Sequence, residues 1–292
     1  TVSAKAVADA AAAVEAAASE SSTDTITITE AEATVTVNTE AIAYTTPEVT
    51  ATADESKAPA VTVNVASGET ATVQIAVTNN TVGTVVKVKQ EDGTYKVVNN
   101  CAVGEEGPVV SVTGKSEYIV VDNSKEFSDV KADWEKDAAA FVSSRELMIG
   151  TGETTFSPSE AINVDTMFTV LSRFDGSVSV EESKGSNWAN AGQTWAEDKG
   201  FSADKMDRTT MFSALYQYAG SPEVTAAEKD AARAQFSDLA DLSDADLAAV
   251  AFALKSGITN GVGGGRFGGN ENANRAQLGA IVMRYANVLM SK

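Results

Sequence analysis

Four aspartates crowd into residues 237–247, "SDLADLSDADL", and carboxylates at that density are the first candidates for chemistry in this 292-residue chain. Oxygen ligands of this kind suit a calcium ion, yet the run lacks the alternating acidic spacing and central glycine of a calcium loop. Ser243, with Asp246 three residues on, reads better as a helix cap, so calcium stays the minor alternative and no metal site or other cofactor is assigned. Other reactive types are scarce. Histidine, the commonest general base and metal ligand, is absent, which argues against hydrolase or zinc chemistry without excluding carboxylate or serine–lysine enzymes. The single cysteine, Cys101, leaves no intramolecular disulfide; it reads as a small half-buried strand residue, with an intermolecular disulfide as the remote alternative. The expectation is a chain that is not an enzyme.

Charge narrows the partners. Lys and Arg number 22 against 41 Asp and Glu, a formal net charge of −19. That argues against nucleic acid and anionic membrane surfaces, and it suits a soluble, self-repelling surface protein. No run of 18 apolar residues occurs, so no membrane span is expected. The chain opens at Thr1 without methionine, as a processed export substrate or an excised fragment would.

The elements that must position any site fall into two alphabets. Residues 1–126 contain no Arg, Phe or Trp, whereas all ten Phe and all three Trp lie from Phe127 onward. Two independent cores follow, in an α+β multidomain chain. Residues 1–22 are Ala-rich with almost no large apolar stripe, a surface helix or a segment that orders against a neighbouring subunit. From residue 23 to 122, runs such as "TITITEAEATVTVN" and "AVTVNVASGETATVQIAV" alternate Thr and Val with period two, and "EDGT" at 91–94 supplies a hairpin turn. An immunoglobulin-like β-sandwich is expected there. Residues 123–292 switch to helical spacing: Trp134, Ala138, Phe141, Val142 and Arg145 mark one helix, and three more align on Met167, Met211 and Leu278. Those three end in Arg173-Phe174, Gln217-Tyr218 and Arg284-Tyr285. "FSDV" at Phe127 returns as "FSDL" at Phe236, 109 positions later, so a repeat of about 55 residues is present whose faces must pack on one another.

The second half resembles the S-layer homology (SLH) repeat, a module that anchors bacterial surface proteins to the cell wall. "FSDV…W", "ELMIGTGETTFSP" and the helix after "INVDT" carry the likeness in residues 127–175; "NWANAGQTWAEDKGF" and "MDRTT" carry it in 187–220, a copy without the Gly-rich turn; "FSDL", "LKSGITNGVGGGRFG" and "ANRAQ" carry it in 236–290. The preceding β-rich region is similar to that leading into SLH repeats in surface proteins of clostridial type. The resemblance implies an all-α, pseudo-threefold unit whose grooves hold a secondary cell-wall polysaccharide linked to peptidoglycan, commonly with a pyruvate ketal. A ketal carboxylate needs an Arg fork, unpaired N–H groups at a helix N-terminus and an apolar wall. In the family's Arg position stand Arg208 and Arg275, whereas the first copy has Val164, so at most two competent grooves are expected. Trp134, Trp188, Gly150 and Gly261 complete the polymer-binding set.

Plainer readings accompany each residue. The two arginines could form salt bridges on a solvated helix start, and Trp134 and Trp188 could be core residues that lock the first helix. Asp129 and Asp238 read as N-terminal caps or turn formers, and Gly150, Gly152, Gly261 and Gly263–Gly265 as positive-φ turns. The resemblance implies an extracellular, S-layer-type structural protein at the cell surface that joins copies of itself into a layer or filament; the alternative is the anchoring end of a larger secreted enzyme or adhesin.

Overall fold

A computed structural model describes residues 51–58, 60–65 and 70–290, with the backbone of 33–37 and 44–45. The Ala-rich segment expected at 1–22 and the "TITIT" run lie outside the described residues. The chain divides into two units, residues 1–125 with 143–145, and residues 126–142 with 146–292.

The first unit is built from nine described strands: β1 (Ala33–Val37), β2 (Tyr44–Thr45), β3 (Ala60–Val65), β4 (Thr70–Gln74), β5 (Thr84–Lys89), β6 (Tyr95–Val97), β7 (Ala102–Val103), β8 (Pro108–Thr113) and β9 (Lys115–Asp122). They form a five-stranded sheet in the order β1-β3-β9-β5-β6 and a four-stranded sheet in the order β2-β4-β8-β7. All pairings are antiparallel except β1 with β3 and β2 with β4, which are parallel. The Thr/Val alternation does what period two demands: Val61, Val63 and Val65 of β3 and Val110 and Val112 of β8 are buried, while their alternate neighbours stay partly or fully exposed. Ile75, Ile119 and Tyr118 complete this valine-rich core. Cys101 is fully buried within it and lies just ahead of β7, a correction to the half-buried strand position. Arg145 also belongs to this unit, where its buried guanidinium donates to the carbonyls of Cys101 (2.6 Å), Val82 (2.8 Å) and Thr84 (3.2 Å). Those carbonyls offset the penalty of burying the charge.

The second unit is helical: α1 (Asp133–Ser144), α2 (Val164–Phe174), α3 (Asn190–Asp198), α4 (Arg208–Tyr218), α5 (Ala226–Gln235), α6 (Asp244–Lys255) and α7 (Arg275–Met290). Three pairs repeat one design: α1 with α2, α3 with α4, and α6 with α7. Each first helix closes with the same backbone bond, from Leu147 to Val142 O, Phe201 to Ala196 O and Ile258 to Ala253 O, at 2.8, 2.8 and 2.9 Å. The residue before each donor has positive φ: Glu146, Gly200 and Gly257, at 59°, 75° and 71°. Each second helix is capped by an equivalent side chain. Asn163 and Asp207 accept from the N–H three residues on, at 2.8 and 2.9 Å, and Asn274 exchanges two bonds with Gln277.

Packing runs from pair to pair around a closed order. Helix α2 lies on α3, where a Cβ on Gly192 would meet Thr169 N at 2.8 Å; α4 lies on α6; and α7 returns to α1, where a Cβ on Gly279 would meet Ala138 O at 3.0 Å. Met167, Met211 and Leu278, the three aligned apolar positions, are all fully buried. Two turns further along in each helix, Phe174, Tyr218 and Tyr285 meet with ring centroids 5.9, 5.9 and 6.2 Å apart. Such edge-on and tilted pairs each add about 0.5–1.5 kcal/mol beyond their buried area. Their hydroxyls are satisfied inside the cluster: Tyr285 donates to Leu215 O at 2.9 Å and Tyr218 to Asp175 at 3.1 Å. Helix α5, in the connection between the second and third pairs and without a counterpart between the first and second, packs on α6.

All three tryptophans lie in the helical unit, so their fluorescence reports its unfolding selectively. Tyr285→Ala should destabilise this unit by about 3–5 kcal/mol, whereas Tyr285→Phe, which removes only the hydroxyl, should cost about 1 kcal/mol. Equal effects of the two variants in denaturant titrations would show that the ring packing is not what closes the order.

Candidate functional site

Two long loops follow the first helices of the first and third pairs, and each is drawn together by an aspartate. Asp129 accepts from the N–H groups of Phe156 (2.9 Å) and Ser157 (2.7 Å); Asp238 accepts from Phe267 and Gly268, both at 2.8 Å. These residues cap no helix. They fasten a turn some 27–30 positions away, a correction to the helix-cap alternative that leaves the turn-forming one. The loop crossing is tight at the next equivalent pair. Gly261 has φ +81°, and a Cβ there would lie 2.3 Å from Arg266 O. Gly150 does not have positive φ, contrary to expectation; a Cβ on it would lie 2.7 Å from Thr155 O, so close approach of its own loop is what requires glycine. Gly152 is likewise outside the positive-φ region, while Gly263, Gly264 and Gly265 are in it.

The two arginines reach across to these loops from other pairs. Arg275, first residue of α7, donates through Nε to Phe156 O (2.8 Å) and through Nη2 to Ile149 O (2.7 Å), with its guanidinium 4.7 Å from the Phe156 ring centroid. Arg208, first residue of α4, donates through Nε to Phe267 O (3.1 Å) and lies 5.5 Å from the rings of Phe212 and Phe267. Neither forms a salt bridge with a carboxylate among the described residues. The expected free N–H groups at the helix starts are also absent. Arg208 and Thr209 donate their amides to Glu271 O and Gly269 O, and Arg275 and Ala276 donate theirs to Glu160 O and Pro158 O, all at 2.9–3.0 Å. What remains is one Nη of Arg275 and both Nη of Arg208, for which no described residue is a partner. Burial pulls both guanidinium pKa values down, opposed by Glu271 and Asp238 around Arg208 and by Glu160 and Asp129 around Arg275.

Around Arg275 opens a groove of about 480 Å³, with Met148, Ile149 and Gly150 on one side, Asn163 at the start of α2, and Trp188 ahead of α3. It joins the loop of the first pair, the arginine of the third and the tryptophan of the second. Its floor is Arg173, which clasps Leu147 O (3.1 Å), Ser183 O (2.6 Å) and Ser183 Oγ (2.9 Å), its pKa pulled down to about 10 by burial. In the sequence Arg173 stands out only as half of an Arg-aromatic pair, and that pair is the one signal that could have found it. Trp188 is half-buried on the groove wall. Trp134 is 49% exposed in the first turn of α1, a correction to the core reading, since fully buried Phe141 seven residues later fills the core position. Three of the four aspartates of 237–247 are individually occupied: Asp238 holds its turn, Asp244 pairs with Lys229 (2.7 Å), and Asp246 accepts from Ser213 (2.8 Å) and from the capping Ser243. No group of three or more such ligands that could hold a metal is present among the described residues.

Both aspartate-fastened loops fall inside one recurring pattern. Residues 126–163 and 235–278 match the S-layer homology domain. The matched SLH segments start beside Phe127 and Phe236, include both loops, and in the second case include Arg275. No curated protein matches the chain.

Both loop-fastening carboxyls sit below their ordinary 3.8, Asp129 because the Phe156 N–H bonds its charged form, Asp238 because bonds from Phe267 and Gly268 outweigh the upward push of burial. Their stabilising contribution is complete above the unfolded carboxyl pKa and is lost as pH falls through the lower folded value. Asp238→Asn should therefore lower stability at neutral pH and weaken the pH dependence of tryptophan-monitored unfolding below about pH 4. An acid limb as steep as that of the unaltered chain would dismiss this fastening.

Proposed function

We propose that this chain is a non-catalytic structural protein of the bacterial cell surface, held to the wall by three SLH repeats that bind a secondary cell-wall polysaccharide. The SLH matches support wall anchoring as the general role. The finer reading rests on one observation, the way the repeats have degenerated. In the order in which the pairs close, a groove takes its loop from one pair, its arginine from the pair before and its tryptophan from the pair after. Groove one uses loop 147–151, Arg275 and Trp188; groove two, by the same order, uses loop 258–262, Arg208 and Trp134. A third groove would need a loop in the second pair, an arginine at position 164 and a tryptophan at 245, seven residues before Phe252 as Trp134 precedes Phe141 and Trp188 precedes Trp195. All three are missing. The chain runs 17 positions from Leu147 to Val164 and from Ile258 to Arg275, but 7 from Phe201 to Arg208; position 164 is Val, and position 245 is Ala.

Had these residues served only their own helix pair, nothing would make their losses coincide. They are lost from three different pairs and from one groove, which is the pattern of residues that act on a shared ligand. Each remaining groove offers an Arg edge with spare N–H donors, an aromatic wall and an apolar or glycine-rich rim, a set suited to a sugar that bears a carboxylate. Pyruvylated sugar is our reading of that ligand. The β unit, taken as an immunoglobulin-like sandwich, is the part that joins copies into a layer or filament.

The test separates the grooves without removing buried charge. Trp134→Ala with Arg208→Lys disables groove two, and Trp188→Ala with Arg275→Lys disables groove one; each pair should weaken cosedimentation with native sacculi about tenfold, a loss of ~1–2 kcal/mol. All four together should abolish it, and Val164→Arg should restore nothing, since loop and tryptophan are missing from that position. Trp134→Ala alone, at an exposed site, should leave the melting curve unchanged while reducing binding. Full binding by the fourfold variant would remove both grooves from the account.

A further inference from the structure

The N-terminal strands β1 and β2 bear an unusual relation to the rest of their unit. Each is the outermost strand of its sheet, each pairs in parallel with its one neighbour, and the two neighbours, β3 and β4, are consecutive in the chain. Residues 33–37 thus run alongside 61–65 and residues 44–45 alongside 73–74, at one edge of each sheet. The remaining strands are held independently of them, since β3 also pairs with β9 and β4 with β8. The strand and its seat nearly share a sequence: in register, Thr34 faces Thr62, Val35 faces Val63 and Val37 faces Val65.

Two further facts bear on which chain supplies the strand. Past β2 the polypeptide is clasped to its own unit at Ala51 and Thr52. The Asn79 side chain exchanges two bonds with the backbone of Ala51, at 2.9 and 3.0 Å, and Thr52 O accepts from Asp122 N at 3.1 Å. The edge is also almost uncharged: residues 33–45 and 60–74 carry one glutamate each, Glu40 and Glu69, in a chain of net charge −19. Two copies repel over most of their surfaces and least along this one. A parallel edge of free backbone donors and acceptors takes any strand of matching pattern, and every copy of the chain carries that strand.

We infer that β1 and β2 are exchanged between copies, the two strands of one chain pairing in parallel with β3 and β4 of a second. The partner is another copy of this chain, and the inference rests on the assembly reading given above. Because each copy both gives and receives, exchange in one direction around successive copies extends a row, and reciprocal exchange closes a dimer.

The experiment uses the full chain with Cys101→Ala to remove the native thiol. Chains with Thr34→Cys and one affinity tag are mixed with chains carrying Thr62→Cys and another tag, then oxidised and examined on non-reducing gels and by mass spectrometry. A disulfide joining positions 34 and 62 of differently tagged chains, in a fraction that rises with protein concentration, is the expected result. A chain carrying both substitutions reads the same pairing within one molecule. Closure in that chain with no mixed product at the highest concentration overturns the exchange, as does absence of the link in both samples. Ordered assembly by light scattering without the mixed product would leave the assembly reading standing and remove only its proposed element. Sacculus binding, measured separately, reports the anchoring reading alone.

Discussion

The meeting of Phe174, Tyr218 and Tyr285 is the interaction on which the helical unit depends. Each ring comes from the second helix of a different pair, and each pair has one apolar face it cannot cover by itself. Joining the three rings commits α2, α4 and α7 to a common centre, and the first helices then fill the spaces between them. The polar atoms of these rings are answered locally, by Leu215 O for Tyr285 and by the Asp175 carboxylate for Tyr218 and Trp195.

Closure has a chemical consequence. It brings Arg275 to Ile149 O, 126 positions away in sequence, and Arg208 to Phe267 O, 59 positions away. The arginines use part of their donor set as struts for a neighbouring pair's loop, which fixes the geometry of the whole guanidinium. One nitrogen set of the side chain is thereby committed to holding a neighbouring loop while the rest of its N–H donors stay uncommitted to any described residue. An arginine can do this because its planar fork carries five N–H donors in fixed directions, where a lysine offers one rotating point charge.

The β unit is stabilised by different means. With one cysteine, already buried, it has no covalent staple, and its core is made mostly of valine with Ile75, Ile119 and Tyr118. β-branched side chains suit a pleated surface and lose little rotamer freedom there. Arg145 shows the limit of the sequence's alphabet: no arginine occurs before residue 127, yet this unit contains a buried guanidinium that donates to the backbone carbonyls of Cys101, Val82 and Thr84.

Much was legible in the residues alone. Period two in "AVTVNV" and "PVVSVT" and period 3.6 in "VDTMFTVLSRF" follow from where side chains point along a strand or a helix, so element type and the buried rows at Met167, Met211 and Leu278 could be read directly. The recurrence of "FSD" and of the Gly-rich loops disclosed the repeat, and the sequence already sets Val164 apart from Arg208 and Arg275. What the sequence could not supply was which repeat meets which. Arg208 reads as the property of its own helix, Trp134 as a core residue and Gly150 as a positive-φ turn, because each was judged from neighbours along the chain. The closed order of the pairs decides instead that a groove is lined from three helix pairs at once, that Trp134 faces solvent, and that the helix N-termini commit their amides to another pair's loop. Those outcomes depend on contacts between residues far apart in sequence, which local propensity does not encode and only the packed tertiary structure fixes.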